Sequence, residues 1–209
     1  SLHDALPICA YVQLNNGDQA IHVFEQLFTQ FPQSQYASKA GNEIALIHYQ
    51  NNHINSAIKA YKMVIMNYPG SEQANVAMRD LKNLYVEENM VDSYIDFASQ
   101  TKGMVTVEVS ERDSLTYKAA ELAYIRGDEA KAIEGFTKYL TQFNNGAYIT
   151  DAQYYLGCIY NKNSNYDQAR VYLQGVADQN SSKYCEEATR MLADIAYNHK
   201  DYTTALDCY

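Results

Sequence analysis

GDQAIHVFEQLFTQFP at residues 17–32 and SAIKAYKMVIMNYP at residues 56–69 share one pattern. Each sets a small residue, Ala20 or Ala57, four places ahead of a large apolar one, Phe24 or Tyr61, and each ends on a proline, Pro32 or Pro69. AIEGFTKYLTQF at 132–143 and ARVYL at 169–173 carry the same small-then-large pair. The small position recurs at Ala20, Ala57, Tyr94, Ala132, Ala169 and Ala205, at intervals of 37, 37, 38, 37 and 36 residues. Five near-equal intervals define a repeat array.

Each unit reads as two helices. The first carries apolar residues at helical spacing, as in Ile44, Ile47 and His48 or Leu156, Ile159 and Tyr160. A short polar turn follows, such as Asn51-Asn52-His53 or Arg126-Gly127-Asp128, and then the second helix. Ser34, Ser71, Asp113 and the box Thr150-Asp-Ala-Gln153 are read as starts of first helices. The small residue lets two helix axes approach to about 8 Å, and the large residue one turn later fills the space beyond. One such unit cannot bury its own apolar face, so the units must stack.

A two-helix unit of this kind resembles the tetratricopeptide repeat. The residues carrying the resemblance are Leu156-Gly157, Tyr160, Tyr166, Ala169 and Leu173, with Ala20, Phe24, Leu27 and Pro32, and Ala57, Tyr61, Val64 and Pro69. The resemblance implies an all-α fold, a right-handed α-solenoid of six helix-turn-helix units, the first and last incomplete. The joints FPQSQYA and YPGSEQA also resemble those of bacterial cell-envelope repeat proteins, which implies a periplasmic or outer-membrane-associated setting.

Two places depart from the pattern. In the third unit Tyr94 holds the small position and Ala98 the large one, a swap on one helix face that conserves volume. Residues 103–113 then alternate Val105, Val107 and Val109 with polar residues, a strand period. They are read as an extended joint between repeats at 9–102 and repeats at 114–209. Ser1–Ile8 are the eight residues that a common sequencing-library adapter encodes, so the natural chain is expected to begin near Cys9, inside an element.

Composition narrows the function. Nine Gly and three Pro in 209 residues are too few for the turns of an all-β protein. A net charge of −9 argues against non-specific binding to nucleic acid or to an anionic membrane, which draws on Lys and Arg. No apolar run approaches the ~18 residues of a spanning helix. No phosphate loop, His-Glu-x-x-His or nucleophile elbow is present, and the His residues are scattered. The four Cys form no Cys-x-x-Cys pair, so no metal, cofactor or catalytic residue is expected. Asn161, Asn163, Asn165 and Asp167 alternate like a calcium loop, but Tyr166 replaces the turn glycine and no closing Glu follows.

In the resembled fold the first helices line a concave face. By helical phase the residues turned there are Asn42, Leu46 and Tyr49; Arg79, Asn83 and Val86; Tyr117, Glu121 and Tyr124; Tyr154, Cys158 and Asn161; and Arg190, Asp194 and Tyr197. Tyr, Arg and Asn in such places suit recognition of a protein or peptide. The expected contact set is Asn42, Tyr49, Arg79, Asn83, Tyr117, Tyr124, Tyr154, Asn161, Arg190 and Tyr197. The expected function is a non-catalytic scaffold for a protein partner. Two alternatives stay open: glycan capture through exposed tyrosines, and an adaptor domain of a larger regulator or enzyme.

Overall fold

The computed structural model describes residues 17–34, 36–101, 105–179 and 181–208. Ser1–Ile8 and Cys9 lie outside them. The described residues hold eleven α-helices and no strand. In chain order these are α1 (Gly17–Gln30), α2 (Ala37–Gln50), α3 (Ile54–Asn67), α4 (Glu72–Glu87), α5 (Val91–Gln100), α6 (Val109–Ile125), α7 (Glu129–Gln142), α8 (Ile149–Lys162), α9 (Tyr166–Ala177), α10 (Cys185–Asn198) and α11 (Tyr202–Cys208).

The chain divides into two compact units. One takes in the helices up to Tyr85 and again Asp92–Thr106; the other takes in Val86–Val91 and α6 to α11. In the first, α1 packs on α2 and α2 on α3; in the second, each of α6 to α10 packs on the helix that follows it.

The repeat positions account for this packing. Ala20, Ala57, Ala132 and Ala169 are wholly buried, and so are Phe136 and Leu173, their partners one turn on. Tyr94 and Ala98 are both buried, so the swapped pair fills the same space in reverse order. Gly157 shows how tight the crossing is: a Cβ there would lie 2.6 Å from Leu173 Cδ2.

The turns within pairs share one geometry. Asn52, Asn89, Gly127, Ser164 and Lys200 all adopt positive φ, between 57° and 78°. Beyond four of them an amide reaches back five residues, as in His53 N to His48 O, Asp128 N to Ala123 O, Asn165 N to Tyr160 O and Asp201 N to Ala196 O. This is the Schellman ending, which satisfies carbonyls at the end of each first helix. The alternating Asn161, Asn163 and Asn165 belong to such a turn; Asn165 caps α9 by accepting from Gln168 N.

Two sequence readings change here. Val109–Asp113, expected in the extended joint, are the opening of α6, and only residues 105–108 are described as non-helical. Val109 is 78% exposed, so the Val alternation builds no buried strand face, while Glu111 in the first turn favours the helix dipole. Of the four expected helix starts, Ser71 caps its helix, its Oγ accepting from Ala74 N. Asp113 lies inside α6, and the N-cap of α8 is Tyr148, two residues before the Thr150 box would place it, with Thr150 Oγ1 donating instead to Gln179 Oε1.

Candidate protein-binding face

The outward side of each first helix is set by what its opposite side buries. In α8, Ala152, Leu156, Gly157 and Ile159 point into the core, leaving Tyr154, Cys158 and Asn161 half-buried on the other side. The equivalent residues of α6 are Tyr117, Glu121 and Tyr124, and those of α10 are Arg190, Asp194 and Tyr197.

Tyr117 is not a surface residue. It is 6% exposed, and its ring stacks on that of Tyr148 with centroids 4.4 Å apart and planes 10° from parallel. Phe136 and Tyr139 close around it at 5.9 and 5.8 Å, and its hydroxyl donates to Glu121 Oε1 at 2.9 Å. The covering residue, Tyr148, comes from the joint before α8. Its N–H donates to the Tyr139 hydroxyl at 2.9 Å, and that hydroxyl donates to Asp113 Oδ1 at 2.5 Å. Asp113 Oδ2 accepts from Ala147 N, so one carboxylate ties the joint down.

The next joint repeats the device. Tyr154 is half-buried beneath Tyr184, centroids 4.0 Å apart and planes 8° from parallel. The Tyr184 hydroxyl donates to Asp151 Oδ1, and the same oxygen accepts from Lys183 Nζ at 3.0 Å. Burial pushes the pKa of Tyr117, Tyr139, Tyr154 and Tyr155 above the ordinary phenol value; the next cause is a hydrogen bond to Glu121, Asp113 and Tyr184 for Tyr117, Tyr139 and Tyr155, and the charge of Cys158 for Tyr154. Burial likewise raises the Cys158 thiol. Asn42, at the same repeat position in the first unit, is also engaged within the protein: its Nδ2 donates to Gln73 O and Oε1 in the first turn of α4.

The remaining expected residues differ in exposure. Tyr49 is 38% exposed beside Leu46 at 40%; Val86, from the wider set, is buried. Arg79 and Asn83 are exposed, Arg79 paired with Asp80 on its own helix. Arg190 is exposed and pairs with Glu187 and, more distantly, Asp194. Tyr124 is half-buried against Tyr155 at 4.8 Å, Asn161 is half-buried, and Tyr197 is 61% exposed with Tyr202 edge-on at 5.6 Å. Sequence reasoning missed Tyr148 and Tyr184. The available signal was a tyrosine immediately before a first helix, at Tyr36, Tyr148 and Tyr184.

Among the described residues no group of three or more His, Cys, Asp and Glu is placed to hold a metal ion, and no helix is long and apolar enough to cross a membrane. Residues 151–182, from the start of α8 through α9 into the joint beyond, match the family of the tetratricopeptide repeat. This stretch of the chain is a tetratricopeptide repeat. Solved structures similar to this chain include Pseudomonas aeruginosa PilF, at 15% identity over 99% of this chain and 87% of that one, TM-score 0.42. MamA is similar at 15% identity over 79% and 90%, TM-score 0.41. A tetratricopeptide repeat protein from Parabacteroides merdae is similar at 12% identity over 99% and 76%, TM-score 0.41. No curated protein matches the chain.

Proposed function

We propose that this repeat protein is a non-catalytic scaffold whose first-helix face holds a segment of a protein partner. Tetratricopeptide repeats are protein-interaction scaffolds in general; the face and the residues are the specific part of the reading. One observation carries it. With Asn42, Tyr117 and Tyr154, which are engaged within the protein, set aside, Tyr124, Asn161 and Tyr197 fall one per first helix on α6, α8 and α10, at one repeat position. A half-buried tyrosine, an amide and an exposed tyrosine supply amphipathic area and directional hydrogen bonds. Tyr49 holds the same position on α2, with Leu46 beside it.

The stacked pairs weaken the glycan reading. Tyr117 on Tyr148 and Tyr154 on Tyr184 turn ring faces toward each other, not toward a ligand. A setting in bacterial envelope assembly rests on the resemblance of the joints alone. The test is the double variant Tyr124→Ala/Tyr197→Ala in affinity capture from source-cell lysate. A lost tyrosine hot spot costs about 2 kcal/mol or more of binding, so capture should fall at least thirtyfold with helicity unchanged. Undiminished capture by a folded double variant would place the contact elsewhere.

A further inference from the structure

The first unit has an opening that the second unit has filled. Helices α7, α8 and α9 begin at Glu129, Ile149 and Tyr166, each 112 residues after Gly17, Ala37 and Ile54, where α1, α2 and α3 begin. The two trios therefore match residue for residue. Between α7 and α9 the groove is plugged. Tyr172 lies on Tyr160, centroids 5.7 Å apart and planes 4° from parallel, and its hydroxyl bonds to Thr137. Gln153 packs against Gly175, where an added Cβ would meet its amide nitrogen at 3.1 Å.

At the matching places the first unit has Ala60 for Tyr172, His48 for Tyr160, Glu25 for Thr137 and Gly41 for Gln153. One tyrosine ring and one amide side chain are gone, while Met63, which lines the cleft, stands where the second unit has Gly175. What remains is a cleft of about 560 Å³ whose lining includes Glu25, Phe28, Gly41, His48, Lys59 and Ala60. That volume falls within the range of small-ligand sites. Gly41 cannot refill it, because a Cβ there would stand 2.4 Å from Val64 Cγ2. His48 Nδ1 is buried with no hydrogen-bond partner in the protein. Burial, and then neighbouring His53, holds the His48 imidazole below its ordinary pKa, so the ring is a neutral stacking surface at pH 7.

We propose that this cleft binds a phenolic ring, which lies over His48 in the space Ala60 leaves and donates its hydroxyl to Glu25. The geometry is that of Tyr172 on Tyr160, with the ring supplied from outside the chain and the carboxylate of Glu25 standing where Thr137 meets the Tyr172 hydroxyl. Three helices wall the site, α1 and α3 at the sides and α2 at the floor.

The His48 imidazole resonances of the whole chain report occupancy during titration with p-cresol, with toluene and with N-acetyltyrosinamide. Saturable shifts with p-cresol are expected, and toluene should bind about tenfold more weakly for want of one hydrogen bond to a charged group. Glu25→Gln should narrow that gap. Stronger binding of N-acetyltyrosinamide than of p-cresol assigns the ring to a tyrosine side chain, and the reverse to a free phenol. Ala60→Tyr rebuilds the plug the second unit already carries and should abolish the shifts with the fold intact; Ala60→Leu blocks the same space with less bulk. The proposal is overturned if p-cresol gives no saturable shift, if toluene binds equally well, or if a folded plugged variant binds like the parent.

Discussion

Truncating Tyr117 separates a joint residue from a surface contact. Its ring is 6% exposed and meets three other rings, of Tyr148, Phe136 and Tyr139. An aromatic side chain buries roughly 150–250 Å², and removing one from a core to Ala typically costs about 3–5 kcal/mol. The hydroxyl adds one hydrogen bond, to Glu121, worth about 1 kcal/mol. Tyr117→Ala should therefore cost about 3–5 kcal/mol, and Tyr117→Phe only about 1 kcal/mol, since the stack on Tyr148 survives. Tyr197→Ala, from a residue 61% exposed, should stay within about 0.5 kcal/mol. Urea unfolding followed by circular dichroism measures all three. At equal slope, a midpoint for Tyr117→Ala no lower than that for Tyr197→Ala would show that Tyr148 does not cover Tyr117.

Further consequences concern the helix crossing and the phenols. Gly157→Ala should cost about 1–3 kcal/mol in the same melts, because the new methyl meets Leu173 at 2.6 Å; an unchanged midpoint would mean the crossing is looser than described. Tyr61 is pushed up to about 12, chiefly by burial, and Tyr117, Tyr139, Tyr154 and Tyr155 are raised in the same direction. An unfolded tyrosine ionises near pH 10, so the stability these phenols contribute is whole below about pH 10 and is lost as pH climbs through the folded values. Absorbance at 295 nm should show part of the tyrosine set titrating only as the helix signal falls; titration of every tyrosine near pH 10 with helicity intact would contradict their burial.

The helix pairs were legible because packing there is local. Ala57 with Tyr61, or Ala169 with Leu173, announces a close crossing within five residues of sequence, and the Tyr94–Ala98 exchange could be recognised because both lie on one face. The face was only half legible, for a reason that helical phase does not contain. Phase says that Tyr117 and Tyr154 point away from their own second helices. It does not say that Phe136 and Tyr139 of α7 reach round to Tyr117, or that Tyr148 and Tyr184, arriving from the following joints, lie across the two rings. Those covering rings are about thirty residues away in sequence, and their place depends on hydrogen bonds to Tyr139 and Asp151 that no periodicity encodes. The Val105, Val107 and Val109 alternation misled in the opposite sense: a period of two implies a strand only where one side is buried, and Val109 faces solvent.

The claim that the first-helix row meets a protein partner is tested most directly by site-specific photo-crosslinking in source-cell lysate. A photoreactive residue is placed singly at Tyr124, Asn161 and Tyr197, at Tyr148 in the joint, and at Val171, a 65% exposed residue of a second helix. The same adduct from Tyr124, Asn161 and Tyr197, weak or absent from Tyr148 and Val171, is the expected result. Adducts from Val171 with none from the row would contradict it.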